Sequence, residues 1–268
     1  MKFDVATFTS LWLITFLCCA LIATVLARMF AQVSAFRLWA AAFYLVAAAA
    51  ACFALHLTWQ TNILLFATAT LALQSRILIW FGTRALFGIR IKWHGALIVM
   101  CLFCAMYGGA LLLKLPMLVR AVLLALFFAP YRAATLYEVC RRRRPHLGLA
   151  RTIAVIGAGI ATLSAIVPLT LVLLDRANLA LLIGNPQTTS AVYAVVFAGD
   201  VLLASGLIVL AFKLLILERD MLATLERSAS DRLALSWKIR AGAGHAAARD
   251  TLPGHDDAAQ RRSLSGMV

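Results

Sequence analysis

Seven stretches of about twenty apolar residues constrain this chain more than anything else in it. They run roughly over 8–27, 38–57, 63–83, 95–113, 117–137, 152–174 and 190–217. A helix of about 20 apolar residues crosses the ~30 Å hydrocarbon core of a bilayer. In that core every backbone N–H and C=O must be satisfied within the segment, so spans of this length are helical. The predicted fold class is therefore all-α, a polytopic seven-helix transmembrane bundle. Composition argues the same way. Hydrophobic residues make up 63% of the 268 and charged residues only 13%, about half the usual charged share of a soluble domain. That is too little charge to cover a soluble fold of this size with a polar skin. The first stretch is read as a true span and not as a secretory signal. Its apolar run is too long, Asp4 sits in its flank, and further spans follow at once.

The connecting segments set the expected orientation. Arg28 and Arg37 follow the first span, Arg84, Arg90 and Lys92 the third, and Arg141, Arg142, Arg143, Arg144 and Arg151 the fifth. With seven spans all of these fall on one side, facing Lys2, Lys114, Arg120 and Arg176 on the other. The positive-inside rule then puts the N-terminus outside and the C-terminus in the cytoplasm of a bacterial inner membrane. The chain holds 25 Lys and Arg against 11 Asp and Glu, a net charge of +14. In a bilayer protein this excess serves topology and anionic headgroups. No basic face is interleaved with aromatics outside the apolar runs, so no nucleic-acid partner is expected. The domain plan that follows is a membrane domain over 1–217, a cytoplasmic linker helix over 218–235 and a disordered tail over 236–268.

Motifs for soluble chemistry are missing: there is no Walker loop, nucleophile elbow, H-E-x-x-H or dinucleotide fingerprint. Cys101 and Cys104 have C-x-x-C spacing but lie in an apolar helix without a second ligand pair, so they are read as packing residues. A retinal protein needs a lysine in the middle of the last helix and an acid in the third. Lys213 lies near the end of its span and the third span has no acid. Haem ligation needs facing histidines, and only His56 falls in a span. No internal repeat of the kind transporters show is evident. No catalytic residue, cofactor or metal is expected. Gly108 with Gly109, Gly157 with Gly159, and Gly199 with Ser205 and Gly206 are expected at close helix contacts. Pro130 and Pro168 fall inside spans and are expected to kink them.

Charges at membrane depth are costly and normally face the bundle interior. Arg76, in the inner half of the third span, Arg132, near the inner end of the fifth, and Asp200, near the middle of the last, form a candidate intramembrane polar network. Asp200 is the one acid clearly inside a span, and pairing with Arg76 would offset its burial. The alternative is that both arginines snorkel to the headgroups while hydroxyls hold Asp200. Past the last span, Leu214, Leu217, Met221 and Leu225 are spaced 3, 4 and 4, an apolar stripe at helical period. This linker is expected either to transmit motion to a cytoplasmic output, with homodimer pairing through the last helix and the linker, or to lie on the membrane surface as an amphipathic stop segment.

Three places carry a family resemblance. The third span ends in Gly82-Thr83-Arg84-Ala85-Leu86-Phe87-Gly88-Ile89-Arg90, the last span passes into a charged helix over Glu218 to Arg227, and Ser230 to Arg240 follows. Over about residues 35–235 this layout resembles the membrane-embedded sensor region of bacterial GGDEF diguanylate cyclases. Against that family's T-D-P-L-T-G-L-x-N-R-R junction, Asp231, Leu233 and Arg240 match, while the proline, the Thr-Gly and the asparagine do not. No GGDEF signature occurs. The resemblance therefore implies a sensory or signalling module that is catalytically inactive as given, a truncated or frame-shifted relative whose reading frames past Leu233 are worth translating. A small-solute transporter or channel-like protein, and a structural membrane partner of a separately encoded enzyme, remain open beside it. The lipid bilayer is the one partner common to all three, and the ligand is unknown.

Overall fold

The computed structural model describes residues 5–141, 148–174 and 186–250, with side chains at 7–141, 148–166, 194–217 and 219–233. Among these residues the protein is entirely helical. Its helices are α1 (Val5–Met29), α2 (Ser34–Trp59), α3 (Asn62–Leu86), α4 (Trp93–Leu112), α5 (Met117–Arg141), α6 (Gly148–Leu174) and α7 (Pro186–Asp250). All seven are long and apolar enough to cross a membrane. At 1.5 Å per residue the 25 residues of α3 rise about 37 Å, enough for the ~30 Å core with a turn to spare.

The connections are tight because each helix end satisfies its own carbonyls. After α3 the chain turns at Gly88, whose φ of 73° suits a residue without a Cβ. Its N–H donates to Ala85 O at 3.0 Å, and the Ile89 N–H reaches Arg84 O at 3.0 Å. α4 ends the same way with Lys114 in the left-handed region, and the Leu115 N–H reaches Ala110 O at 3.0 Å. Pro116 then stands just before α5, where its missing N–H costs nothing. Pro130 and Pro168 lie inside α5 and α6.

Two compact units are present, Met1–Leu214 and Leu215–Val268. In the first, helix packing is inverted relative to a water-soluble protein. Large apolar side chains such as Leu21, Val25, Ile63, Ile98, Leu102, Leu126 and Leu163 face outward, while Ser75, Arg76, Thr83, Thr135, Thr162 and Asp200 are buried. That is the distribution a lipid solvent selects. The buried hydroxyls of Thr83, Thr135 and Thr162 turn back on carbonyls of their own helix, four residues earlier.

α3 is central. On one side it packs against α2, where the Trp39 indole is fully buried and donates to Ile79 O at 3.3 Å. The ring fits because residue 82 is glycine: a Cβ there would run into the Trp39 indole. On its other side Leu73, Ile77 and Phe81 of α3 join Phe103 and Tyr107 of α4 and Phe127 of α5. The rings of Phe103 and Tyr107 stack at 5.3 Å, and Phe127 meets Phe103 edge-on at 5.2 Å. α7 touches α1 through Phe197 on Trp12, and its Phe212 meets Phe30 just past the end of α1.

A close crossing joins α6 and α7. A Cβ on Gly157 would meet the backbone of Leu202 and Leu203, and one on Gly206 would lie 2.6 Å from the Cα and N of Ala154. Gly199 packs its bare face on Ile160 and Ala161. These glycines let two backbones touch, the contact that membrane helices exploit in place of hydrophobic burial. The expectation for glycine pairs is corrected at two positions. At Gly109 and Gly159 an added Cβ would meet nothing within 4 Å, because helix residues one apart point about 100° from each other and residues two apart about 200°, so only one of each pair can face the contact.

In the second unit the helical backbone continues through Asp250. Of the tail assigned to 236–268, residues 236–250 have helical backbone, in keeping with their many alanines, and 251–268 lie outside the described residues. Ile216, Met221, Leu222, Leu225 and Leu233 are exposed along this unit's helix.

Candidate functional site: a buried ionic cluster

Asp200 enters the bundle from α7 directly after Gly199, so the helix lies close to α6 at the point where its carboxylate turns inward. The side chain is 1% exposed. Its Oδ2 accepts a hydrogen bond from Nη2 of Arg76 on α3, forming a buried ion pair. Its Oδ1 faces Nη2 of Arg132 on α5 at 3.7 Å, inside ion-pair range and beyond hydrogen-bond range. Both arginine side chains are 9% exposed.

Arg132 bridges in a second direction. Its Nη1 donates to Ala161 O and to Ser164 Oγ at 2.8 Å, both on α6. Ser164 Oγ in turn donates to Ala161 O at 2.8 Å. The cluster thus ties α3, α5, α6 and α7 together at one level. Neither arginine takes the snorkelling course: both guanidiniums turn toward Asp200 and the neighbouring helices. The Ala161 carbonyl and the Ser164 hydroxyl escaped sequence reasoning. A carbonyl has no sequence signature, and a serine in a membrane helix usually bonds its own backbone.

A second polar group sits near the C-terminal ends of α3 and α5. Arg84 Nε lies 3.9 Å from Glu138 Oε1, and its guanidinium stacks over Trp80 at 5.0 Å. Arg151 of α6 donates from Nε to Val139 O at 3.1 Å and from Nη2 to Cys140 O at 2.7 Å, capping the last carbonyls of α5. Sequence reasoning missed Glu138 because it ended the fifth span at 137. The paired signal was an acid and an arginine, each just past the apolar run of its own helix.

The other sequence candidates lie elsewhere. Leu214 closes the first unit and is half-buried, whereas Leu217, Met221 and Leu225 belong to the second, Met221 and Leu225 being exposed. His56 pairs its Nδ1 with Thr61 O at 2.9 Å across the α2–α3 turn. Cys101 and Cys104 are free thiols, the first exposed. Among the described residues no group of three His, Cys, Asp or Glu side chains is placed to hold a metal.

Seven apolar helices with an inverted distribution of polarity define an integral membrane protein of the multi-pass helical class, associated with the lipid bilayer. No protein-family model matches the chain, and no curated protein or solved structure matches it.

Proposed function

We propose that this chain is a sensory or signalling module of the bacterial inner membrane, similar in layout to the membrane-embedded sensor region of GGDEF diguanylate cyclases. One observation carries the reading. α7 is held to α3 and α5 by a single buried carboxylate, Asp200, and the same helix runs on to Asp250. A stimulus that weakens or strengthens the Asp200 contacts biases the position of α7 between discrete packings, and a continuous helix transmits such a shift along its length. The close glycine crossing with α6 makes the shift stepwise, because touching backbones slide by whole ridges.

In this reading the C-terminus is cytoplasmic, as the basic connections imply. A second copy pairs along Leu214, Leu217, Met221 and Leu225, burying side chains that are exposed or half-buried in the single chain. The test is a chimera that carries an active cyclase domain after Leu235, with cyclic di-GMP as readout. Asp200→Asn is expected to change output at unchanged membrane content; output identical to the parent's would refute the relay. Alkaline phosphatase fused after Leu225 is expected to be inactive, and activity would reverse the topology.

The buried charges also support a second reading, transport of a small solute along a path through Arg76 and Asp200. It requires solute flux in vesicles that Asp200→Asn abolishes.

A further inference from the structure

The cluster is not electrically neutral, and its imbalance identifies a ligand class. Two guanidiniums face one carboxylate; arginine keeps its charge in proteins and Asp200 sits between two cations, so the sum is 2 − 1 = +1. Among the described residues Asp200 is the only carboxylate within 4.0 Å of either guanidinium. Glu138, the one acid on α3 and α5, is engaged with Arg84. The hydrogen bonds repeat the imbalance. Arg132 donates to two neutral acceptors, and its 3.7 Å approach to Asp200 is too long for a charge-assisted bond. The buried Nε donors of Arg76 and Arg132 have no acceptor among the described residues, two unmet donors against one unmet acceptor in the cluster, Asp200 Oδ1. An uncompensated cation in hydrocarbon is costly, and so is an unmet buried donor.

Depth argues against phospholipid headgroups as the source of the missing charge. Arg76 stands ten residues before the end of α3 and Arg132 nine before the end of α5. At 1.5 Å per residue the two stand about 9–12 Å of helix before Arg84 and Glu138, the charged pair near the ends of the same helices. Both side chains turn inward and not along the helix toward an interface.

We infer that Arg76 and Arg132 form an intramembrane binding site for one small monovalent anion, a halide or a short carboxylate, that completes the charge of the Asp200 cluster. A single negative charge brings the sum to zero, whereas a phosphate dianion would overshoot it. The site holds whether α7 relays a signal or lines a path, since it follows from the resting arrangement alone.

Chloride is the probe. The full chain is reconstituted in nanodiscs of zwitterionic lipid, and sodium chloride replaces sodium gluconate at constant ionic strength. A saturable rise in the thermal midpoint is expected, with chloride-dependent broadening of the 35Cl resonance. Arg132→Gln makes the cluster neutral, so it should fold and lose both responses at least tenfold in apparent affinity. Arg84→Gln, outside the cluster, should keep them. A midpoint and linewidth indifferent to chloride, or equal responses in the parent and Arg132→Gln, overturn the inference. So does a chloride effect that disappears when phosphatidylglycerol is added, because the anion would then be a lipid phosphate. None of these readouts involves helix displacement or output, so failure here is distinguishable from failure of the signalling proposal.

Discussion

Replacing Asp200 by asparagine preserves the shape of the side chain and removes its charge. The local sum goes from +1 to +2, and two buried guanidiniums lose their common counter-charge. Removing one partner of a buried pair costs about 3–5 kcal/mol. Membrane insertion scales put one central arginine at about 2.5–3.5 kcal/mol, the same order from an independent source. At roughly 2–4 °C per kcal/mol for a chain of this size, the midpoint should fall by about 6–20 °C. Thermal unfolding in detergent can be followed with a thiol-reactive dye, because Cys19, Cys52, Cys104 and Cys140 are free and half-buried. The informative comparison is with a double substitution. Arg76→Gln alone takes the sum to zero and leaves Asp200 facing Arg132, so its loss should be smaller. Added to Asp200→Asn, it removes one of the two orphaned cations and returns the sum to +1. The double variant should therefore melt above Asp200→Asn, although it carries one more change, with a coupling of about 0.5–3 kcal/mol. A double variant that melts at or below the single, or a single that loses less than about 2 °C, would refute Asp200 as the counter-charge of the cluster.

The α6–α7 crossing makes a steric prediction: Gly206→Leu drives a side chain into the Ala154 backbone and should cost at least the ~1–3 kcal/mol of overpacking, whereas Gly159→Ala, with open space around it, should be neutral or stabilising in the same melt. Glu138→Gln tests the second polar group. With Arg84 at 3.9 Å, 21% exposed and also held by Trp80, the loss should stay within about 1 kcal/mol, well below that of Asp200→Asn.

Legibility in the sequence follows the physics of each feature. All seven spans were legible because run length against bilayer thickness is a nearly one-parameter problem. Their ends were not. α3 continues to Leu86 and α5 to Arg141, past expected ends at 83 and 137, since charged residues extend to the interface while the backbone ladder continues beneath them. That displacement hid Glu138. Asp200 stood out as a lone acid in an apolar run with Arg76 as its expected partner, but that Arg132 would face the same carboxylate was not legible. Arg76 and Arg132 differ there only in position, and the structure sets both against it, one at each carboxylate oxygen. The same limit applies to the glycines: facing Gly157 toward α7 and Gly159 away requires the rotation of α6 about its own axis. That rotation is set by Arg132 as much as by the glycines, since the Ala161 carbonyl and Ser164 hydroxyl must face α5 while the Gly157 face meets Leu203. The polar cluster and the glycine crossing therefore impose one rotational setting on α6. A change of charge at Asp200 should therefore be felt at that crossing as well as at Arg76, because α7 is tied to both.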